Sequence, residues 1–292
     1  MTDPTEPETE FVPKIQMSPV GRLERIILAT DGSEHAESAE EIAFDICEKT
    51  GAPLFMVRAI PSPTWHFLVP GGSLSMSEEA EQYLKDRMES AEGRGITVNI
   101  AVPDADDPAD AIVREAKRAQ ADLIIKGRRG AREPTRLLVG DSTARVIGQA
   151  PCPVLVVPPH GEKWKEILVA IDGSRFSDAA TVMAATMARH FARSVTVLSV
   201  KVPSHSQRRQ NEADPIIARA LEYFKQEGID AVGRVESGLV DDVVIEAASQ
   251  GNSLVVLGAF GRTGFGRALL GSKTERIVNQ ATWPVLVVGS RG

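Results

Sequence analysis

The chain contains a long-range internal repeat. Residues 25–33 read RIILATDGS and residues 166–174 read EILVAIDGS, an offset of 141 positions. Farther along, residues 150–158 read APCPVLVVP and residues 281–289 read ATWPVLVVG, an offset of 131 positions. A period this long indicates two copies of one domain rather than a solenoid of short repeats. The length of 292 residues is enough for two domains.

The repeat and the local composition predict where the domains begin and end. We predict a disordered acidic tail over residues 1–20, a first domain over residues 21–159 and a second domain over residues 162–292. A Pro-Pro-His-Gly junction joins the two domains and is typical of a linker. The first copy is ten residues longer, and we expect the extra length in the Pro/Gly/Ser-rich segment 61–77.

Each copy alternates short apolar runs with amphipathic stretches. Nearly continuous apolar strands separated by helices indicate a parallel sheet that is covered on both faces. We therefore predict an α/β fold in which ligands bind beyond the carboxyl ends of the strands, where the strand order reverses. The strands expected in the first copy are residues 26–29, 54–57, 96–102, 123–126 and 154–157, with helices that include residues 77–91 and 142–149.

Composition and charge exclude several classes of protein. The formal charge of −7 argues against binding nucleic acid or an anionic membrane with the whole surface. No stretch approaches the roughly 18–20 uninterrupted apolar residues of a membrane-spanning helix. Cys47 and Cys152 are too few for a secreted disulfide framework, and residues 1–16 do not resemble a signal peptide. We expect a cytoplasmic protein with no nucleic-acid or membrane partner, in which both cysteines pack in the core.

A glycine-rich segment follows the predicted fourth strand of the second copy and reads GAFGRTGFGRALLGSKTERIV. Glycines permit positive φ angles and a close approach of backbone N–H groups to a ligand. Gly271 and Ser272 stand at a predicted helix start, where free N–H groups and the helix dipole favour a phosphate. A P-loop differs from this segment because it follows a first strand and has its lysine one residue earlier. The basic residues of the segment are Arg262, Arg267, Lys273 and Arg276.

The pattern Gly-x-x-Gly, nine residues, Gly-Ser, a helix and then PVLVV resembles the universal stress protein family. The Asp-Gly-Ser after the first strand of each copy fits as well, and the resemblance covers residues 23–157 and 165–288. It implies two Rossmann-like domains of the adenine nucleotide α-hydrolase type, each with a five-stranded parallel sheet, that bind ATP or AMP. Mg²⁺ could accompany the nucleotide, with Asp172 as its ligand. The binding residues implied in the second copy are Ala170, Ile171, Asp172, Val200, Gly258, Gly261, Arg262, Gly271, Ser272, Lys273 and Thr274.

The first copy keeps the glycine spacing but has Asp141 where the second copy has Ser272. A carboxylate at a phosphate position repels the ligand, although six basic and two acidic residues between positions 126 and 145 keep the surroundings positive. We therefore expect the first site to be the weaker of the two. Its corresponding residues are Ala29, Thr30, Asp31, Ala59, Gly127, Gly130, Gly140, Ser142 and Thr143.

Other chemically suggestive residues are interpreted as structural. The acidic residues between positions 104 and 110, and the pair Asp241–Asp242, open predicted helices, so we interpret them as caps rather than as metal ligands. The five histidines have no ligand spacing and are expected at the surface. Arg208 and Arg209 are interpreted as a solvated basic spot.

The residues favour binding over catalysis. No nucleophile–base pair, metal triad or pair of catalytic carboxylates is recognisable, and an enzyme needs such groups placed together. The leading hypothesis is a nucleotide-dependent regulator of the stress response that binds ATP or AMP, with slow ATP hydrolysis left open. The alternative is an interaction scaffold whose pockets no longer bind nucleotide. In the family the last strand pairs two domains, which implies an intramolecular pseudo-dimer through Val154–Val157 and Val285–Val288. A homodimer of whole chains is also left open.

Overall fold

The computed structural model describes residues 21–61, 72–128, 141–251, 253–262 and 270–289. The predicted tail over residues 1–20 lies outside this part of the chain. In the first unit the strands are Ile26–Ala29 (β1), Leu54–Val57 (β2), Ile60–Pro61 (β3), Val98–Ala101 (β4), Asp104–Ala105 (β5), Leu123–Gly127 (β6) and Val154–Val157 (β7). The helices are Glu37–Thr50 (α1), Gly72–Glu92 (α2), Pro108–Ala119 (α3) and Asp141–Gln149 (α4). A 3-10 turn over Glu34–Ala36 precedes α1.

The second unit repeats this alternation. Its strands are Glu166–Ala170 (β8), Val195–Lys201 (β9), Ala231–Ser237 (β10), Ser253–Gly258 (β11) and Val285–Val288 (β12). Its helices are Arg175–Phe191 (α5), Gln207–Gln210 (α6), Ala213–Gln226 (α7), Val240–Ser249 (α8) and Ser272–Gln280 (α9).

Ten strands form one sheet in the order β10-β9-β8-β11-β12-β7-β6-β1-β2-β4, while β3 and β5 pair only with each other. Within each unit the five strands of this sheet are parallel. Numbered in chain order within the unit, they lie side by side in the order 3-2-1-4-5, which is Rossmann-like. The predicted α/β fold is therefore confirmed. The units meet where β12 pairs with β7 in antiparallel fashion, with Leu286 opposite Leu155. The predicted pairing of Val154–Val157 with Val285–Val288 is thus present.

The strands are apolar because helices cover both faces of the sheet. Ile26 and Leu28 of β1 belong to one core cluster, whereas Ile27 and Ala29 belong to the other, as the alternation of side chains along a strand requires. The first cluster includes residues of α1, α2, α5 and α7, and the second includes residues of α3, α4, α8 and α9. Both clusters contain residues of both units, so the two units share their cores.

Local side-chain chemistry determines where several helices begin and end. Asp107 is the N-cap residue of α3, because its carboxylate accepts the N–H of Ala109 and Pro108 occupies the first helical position. Gly51 ends α1 with a φ of 72°, which glycine adopts without strain. Ser174 caps α5 by accepting a backbone N–H from the first turn. These residues agree with the start and stop signals in the sequence.

Part of the first unit's extra length is helical. We predicted a helix over residues 77–91 that follows a loop insertion, but α2 begins at Gly72 and has 21 residues. Its counterpart in the second unit, α7, has 14 residues. The longer helix therefore takes up a share of the segment 61–77, and residues 62–71 lie outside the described part. The expected start of the helix at Ser77 was wrong.

Composition led us to expect two buried cysteines and no membrane-spanning helix. Cys47 and Cys152 are buried and unbridged, as predicted. Burial, with a smaller effect from Glu48, raises the pKa of the Cys47 thiol to about 12, so the reactive thiolate is disfavoured at neutral pH. Among the helices that the structure describes, none is both long and apolar enough to cross a membrane.

Candidate functional site

A cleft opens at the carboxyl ends of β8 and β11 in the second unit. The strand order reverses between these neighbours, because β9 and β10 lie on one side of them and β12 lies on the other. The cleft has a volume of about 860 Å³, which is within the usual range for small-molecule sites. Its position is the one at which open α/β sheets bind their ligands.

The second-unit residues predicted to bind the ligand all line this cleft: Ala170, Ile171, Asp172, Val200, Gly258, Gly261, Arg262, Gly271, Ser272, Lys273 and Thr274. A further wall of the cleft, which we did not predict, is formed by the segment between β9 and α7. This wall includes His205 and Arg209, which we had expected at the surface and in a solvated basic spot; both are half-buried. The repeat did not predict this wall, because the corresponding part of the first copy is the inserted segment 61–77.

Asp172 and Gly173 form a turn between β8 and α5. Asp172 Oδ1 accepts the N–H of Ser174 at 3.0 Å, and its Oδ2 accepts the N–H of Arg262 at 3.1 Å. Gly173 has a φ of 75°, and a Cβ on it would lie 2.6 Å from the Arg262 guanidinium. The positive φ favours glycine here, whereas the Arg262 guanidinium, as the end of a flexible side chain, could move away from a Cβ. The carboxylate ties the turn after β8 to the loop after β11 across the point where the strand order reverses.

The glycines after β11 permit close packing rather than unusual backbone angles. Gly258, Gly261 and Gly271 all lack a positive φ, so that part of our expectation was wrong. A Cβ on Gly258 would lie 2.7 Å from the Cβ of Phe176 at the start of α5. A Cβ on Gly271 would lie 3.1 Å from the carbonyl oxygen of Ala259. The absence of these side chains lets α5 and α9 approach the end of β11.

Helix α9 begins at the cleft without a side-chain cap. Gly271 is its N-cap residue and offers no side-chain cap, and among the described residues no side chain accepts a hydrogen bond from its first turn. The first N–H groups of a helix have no acceptor within that helix, so those from Ser272 onward are available to a ligand. Free N–H groups and the positive end of the helix dipole together attract anions. The start of α9 is therefore the part of the cleft best suited to an anionic group.

The two hydroxyls predicted to contact the ligand have different surroundings. Ser272 is exposed at the first position of α9. Thr274 is buried, and its Oγ1 donates a hydrogen bond to the carbonyl oxygen of Gly258 at 2.9 Å. This bond holds α9 against the end of β11 and leaves the Thr274 hydroxyl only its acceptor capacity, which does not suit a phosphate. Ser272 therefore carries the hydroxyl that is open to a ligand.

Acidic side chains neutralise part of the basic charge beside α9. Lys273 Nζ lies 3.7 Å from Asp241, and Arg276 donates to the same carboxylate at 2.5 Å. Burial would raise the pKa of Asp241, but the hydrogen bond from Arg276 and the charge of Lys273 contribute to lowering it below its ordinary value. Arg262 forms an ion pair with Glu212, whose pKa it lowers through a hydrogen bond. The three described basic residues of the segment, Arg262, Lys273 and Arg276, are thus paired with carboxylates, and Arg267 lies outside the described residues.

The described acidic residues serve as caps, turn residues and ion-pair partners. In the part of the chain with described coordinates, no group of three or more His, Cys, Asp or Glu side chains could hold a metal ion. Asp107 caps α3 as predicted. Asp241 and Asp242 lie in the first turn of α8, where they complement the helix dipole as predicted, but the N-cap residue Leu239 makes no side-chain cap and Asp241 pairs with basic residues of α9. Asp172 offers one carboxylate whose oxygens already accept backbone N–H groups. A Mg²⁺ ion at Asp172 would take most of its ligands from nucleotide phosphates and water.

The sequences of both units match a single family. A profile of the universal stress protein family matches residues 22–158 and 163–289. The chain belongs to the universal stress protein family. The domain boundaries predicted at 21–159 and 162–292 lie within a few residues of these matched ranges and remain predictions in detail.

Individual members of the family are similar over one unit or over most of the chain. A universal stress protein of Thermus aquaticus is 33% identical over 132 residues, which cover 45% of this chain and 96% of the relative. One from Mycolicibacterium smegmatis is 28% identical over 230 residues, or 73% of this chain and 76% of the relative. The crystal structure of a universal stress protein from Archaeoglobus fulgidus superposes with a TM-score of 0.73 at 22% identity, over 93% of this chain and 100% of that chain. This structure supports the two-unit fold.

In each unit of this universal stress protein an arginine guanidinium lies against the glycine of the turn after the first strand. In the second unit Arg262, which follows β11, lies against Gly173. In the first unit Arg58, which follows β2, lies against Gly32, and a Cβ on Gly32 would be 2.8 Å from the Arg58 guanidinium. Arg58 also lies 5.2 Å from the ring centroid of Tyr83. Ser199 has the matching place in the second unit and lines the cleft, so the first unit has a large charged side chain where the second has a small one.

Buried polar groups also distinguish the first unit. Lys126 stands in β6 where the second unit has the apolar Leu257, and its Nζ donates to Thr143 Oγ1 at 2.7 Å. Thr30 replaces Ile171, and its hydroxyl donates to the fully buried carboxylate of Glu40 at 2.7 Å. Two of the predicted first-site hydroxyls, those of Thr30 and Thr143, are therefore already engaged within the unit.

The remaining residues of the predicted first site are partly described. Gly127 resembles Gly258, because a Cβ on it would lie 3.1 Å from the carbonyl oxygen of His35. Asp31 Oδ1 accepts the N–H of Ser33 at 3.1 Å, which repeats the turn at Asp172. Ala29 ends β1, Ala59 follows β2, and Asp141 and Ser142 are the first two residues of α4. Gly130 and Gly140 lie outside the described residues.

Proposed function

We propose that the cleft of the second unit binds ATP or AMP and that the chain acts as a nucleotide-dependent regulator of the stress response. The observation that carries the proposal is the uncapped start of α9 at the point where the strand order reverses. In this proposal the phosphates bind the free N–H groups that begin at Ser272 and the hydroxyl of that residue. The resemblance to the family supplies the identity of the ligand.

An apolar wall beside the helix start supports a nucleotide rather than a free phosphate. Val200, Ile216 and Leu257 line the cleft, and such side chains suit the faces of a planar base. In this proposal Asp172 borders the ribose or the base and would share a Mg²⁺ ion with the phosphates. An apolar region next to an anion site is the arrangement that a nucleotide requires.

Ser272→Asp tests the proposal, because it places in the second unit the residue that the first unit has at this position. The substitution adds a carboxylate at the phosphate position, and an acidic residue in the first turn is compatible with the helix. Gln280→Glu is the matched control, since Gln280 is exposed at the other end of α9 and does not line the cleft. The measurement is the shift in thermal unfolding with ATP or AMP, where a ligand at 100 times its Kd stabilises the fold by about 2.7 kcal/mol.

We expect a nucleotide-dependent shift in the wild type and in Gln280→Glu, and its loss in Ser272→Asp. The same pattern is expected for adenine nucleotide retained through purification and detected by mass spectrometry after denaturation. If neither retained nucleotide nor a shift is found in the wild type, the proposal fails and the chain is better described as an interaction scaffold. Slow hydrolysis, a homodimer and the cytoplasmic location remain predictions that this experiment does not address.

A further inference from the structure

One wall of the cleft is a short segment between β9 and α7. It contains α6, and Val202, Ser204, His205 and Arg209 of this segment line the cleft. Backbone hydrogen bonds from His205 to Val202 and from Gln210 to Ser206 fold it into turns. The Gln210 side chain adds a bond to the carbonyl oxygen of His205 at 2.8 Å. Arg209 is therefore held at the cleft by a structured backbone.

Arg209 differs from Arg262 and Lys273 in that it forms no ion pair with any acidic residue the structure describes. Arg262 forms an ion pair with Glu212, and Lys273 lies 3.7 Å from Asp241. Arg209 is half-buried, and in the described part of the chain its guanidinium has neither a hydrogen bond nor an ion pair. Its charge does act on Glu212, but that carboxylate is already hydrogen-bonded by Arg262.

A half-buried cation without a partner has lost part of its hydration without gaining a compensating charge. An anionic group of a ligand in the cleft would supply that charge, and guanidinium groups bind phosphate oxygens through directed, often bidentate hydrogen bonds. The neighbouring Arg208 is exposed and does not line the cleft. The two arginines therefore carry the same charge and lie on the same helix, but only Arg209 lines the cleft in which a ligand would bind.

We propose that Arg209 binds an anionic group of the ligand and makes the site selective for phosphorylated nucleotides over the uncharged nucleoside. This inference rests on the proposed function and adds a contact outside the glycine-rich segment. Arg209 and the start of α9 then act on the same class of ligand from two walls of the cleft. The affinity for a phosphorylated ligand should therefore depend on Arg209 and on the start of α9. The affinity for adenosine, which has no phosphate, should depend on neither.

The test compares Arg209→Gln with Arg208→Gln in the full chain. Both substitutions remove one positive charge from α6 and keep a long polar side chain, so they change the net charge equally. The affinity for ATP and AMP is measured by calorimetric titration, and that for adenosine by displacement of bound ATP. Arg209→Lys is a third variant that keeps the charge but loses the planar fork. Thermal unfolding of each variant without ligand reports whether the fold is intact.

We expect Arg209→Gln to weaken ATP binding about tenfold or more, as the loss of a charge-assisted hydrogen bond predicts. Arg208→Gln should change it less than about twofold, and Arg209→Lys should fall between the two. Adenosine should bind alike to all four proteins. Equal effects of the two glutamine variants on ATP, or an equal loss for ATP and adenosine in Arg209→Gln, would overturn the inference. A wild type that binds none of these ligands would instead refute the proposed function, and this inference with it.

Discussion

At the residue scale, Gly258 is required because α5 packs directly on the end of β11. A Cβ at this position would lie 2.7 Å from the Phe176 Cβ and 3.0 Å from its backbone carbonyl carbon. Backbone atoms cannot move aside as the end of a flexible side chain can. The spacing of the glycines predicted the site, but the sequence could not reveal which atoms press on each glycine, since the contacts come from a distant helix.

Gly258→Ala should therefore destabilise the second unit and distort the cleft. Overpacking of this kind costs about 1–3 kcal/mol, and urea unfolding measures the change in the free energy of unfolding. Gly289→Ala is the control, because in the described part of the chain no heavy atom lies within 4 Å of a Cβ at Gly289. We expect the control to stay within about 0.5 kcal/mol of the wild type. Equal stability of the two variants would show that α5 does not constrain Gly258.

At the element scale, α9 is held at both ends by different units. Its start faces the cleft of the second unit, and its end receives Arg128 from the first. Arg128 donates from Nη1 to the carbonyl oxygens of Val278, at 2.9 Å, and Asn279, and from Nη2 to that of Ala281 at 2.6 Å. A cation at a helix carboxyl end satisfies free carbonyls and complements the dipole. Burial lowers the pKa of Arg128, so this contact is made at some cost in hydration.

Arg128→Ala should lower the free energy of unfolding by about 1.5–3 kcal/mol, the usual range for hydrogen bonds from a charged group. Arg118→Ala is the control, because Arg118 is exposed and pairs with Glu115 on its own helix. Exposed pairs of this kind contribute about 0–1 kcal/mol. Chemical denaturation of both variants makes the comparison, and a loss in Arg128→Ala no larger than that in Arg118→Ala would contradict the assigned role of Arg128.

The elements themselves were predictable to different degrees. Strands such as β1 and β7 have the predicted bounds, because apolar β-branched runs between turn residues are a strong signal. The start of α2 was missed because residues 72–77 are rich in serine and glycine, which are weak helix formers. The role of Arg128 was also missed, since a contact across about 150 positions has no local pattern.

At the scale of the whole molecule, the duplicated chain is a pseudo-dimer with unequal halves. The repeat predicted that the two units share one fold, and the resemblance to the family implied the pairing of β7 with β12 that joins them. It predicted the inequality of the sites only through Asp141. Arg58, Lys126 and Glu40 add to the difference, but their positions relative to a cleft depend on packing that the sequence pattern does not contain.

The number of nucleotides bound per chain tests this account most directly. Native mass spectrometry of the full chain with ATP counts them without assuming where they bind. We predict one nucleotide per chain in the wild type and none in Ser272→Asp. Asp141→Ser should still bind only one, because Arg58 and Lys126 remain in the first unit. Two nucleotides per wild-type chain would contradict the claim that only the second unit binds nucleotide under these conditions, and one retained in Ser272→Asp would contradict the claim that it binds beside α9.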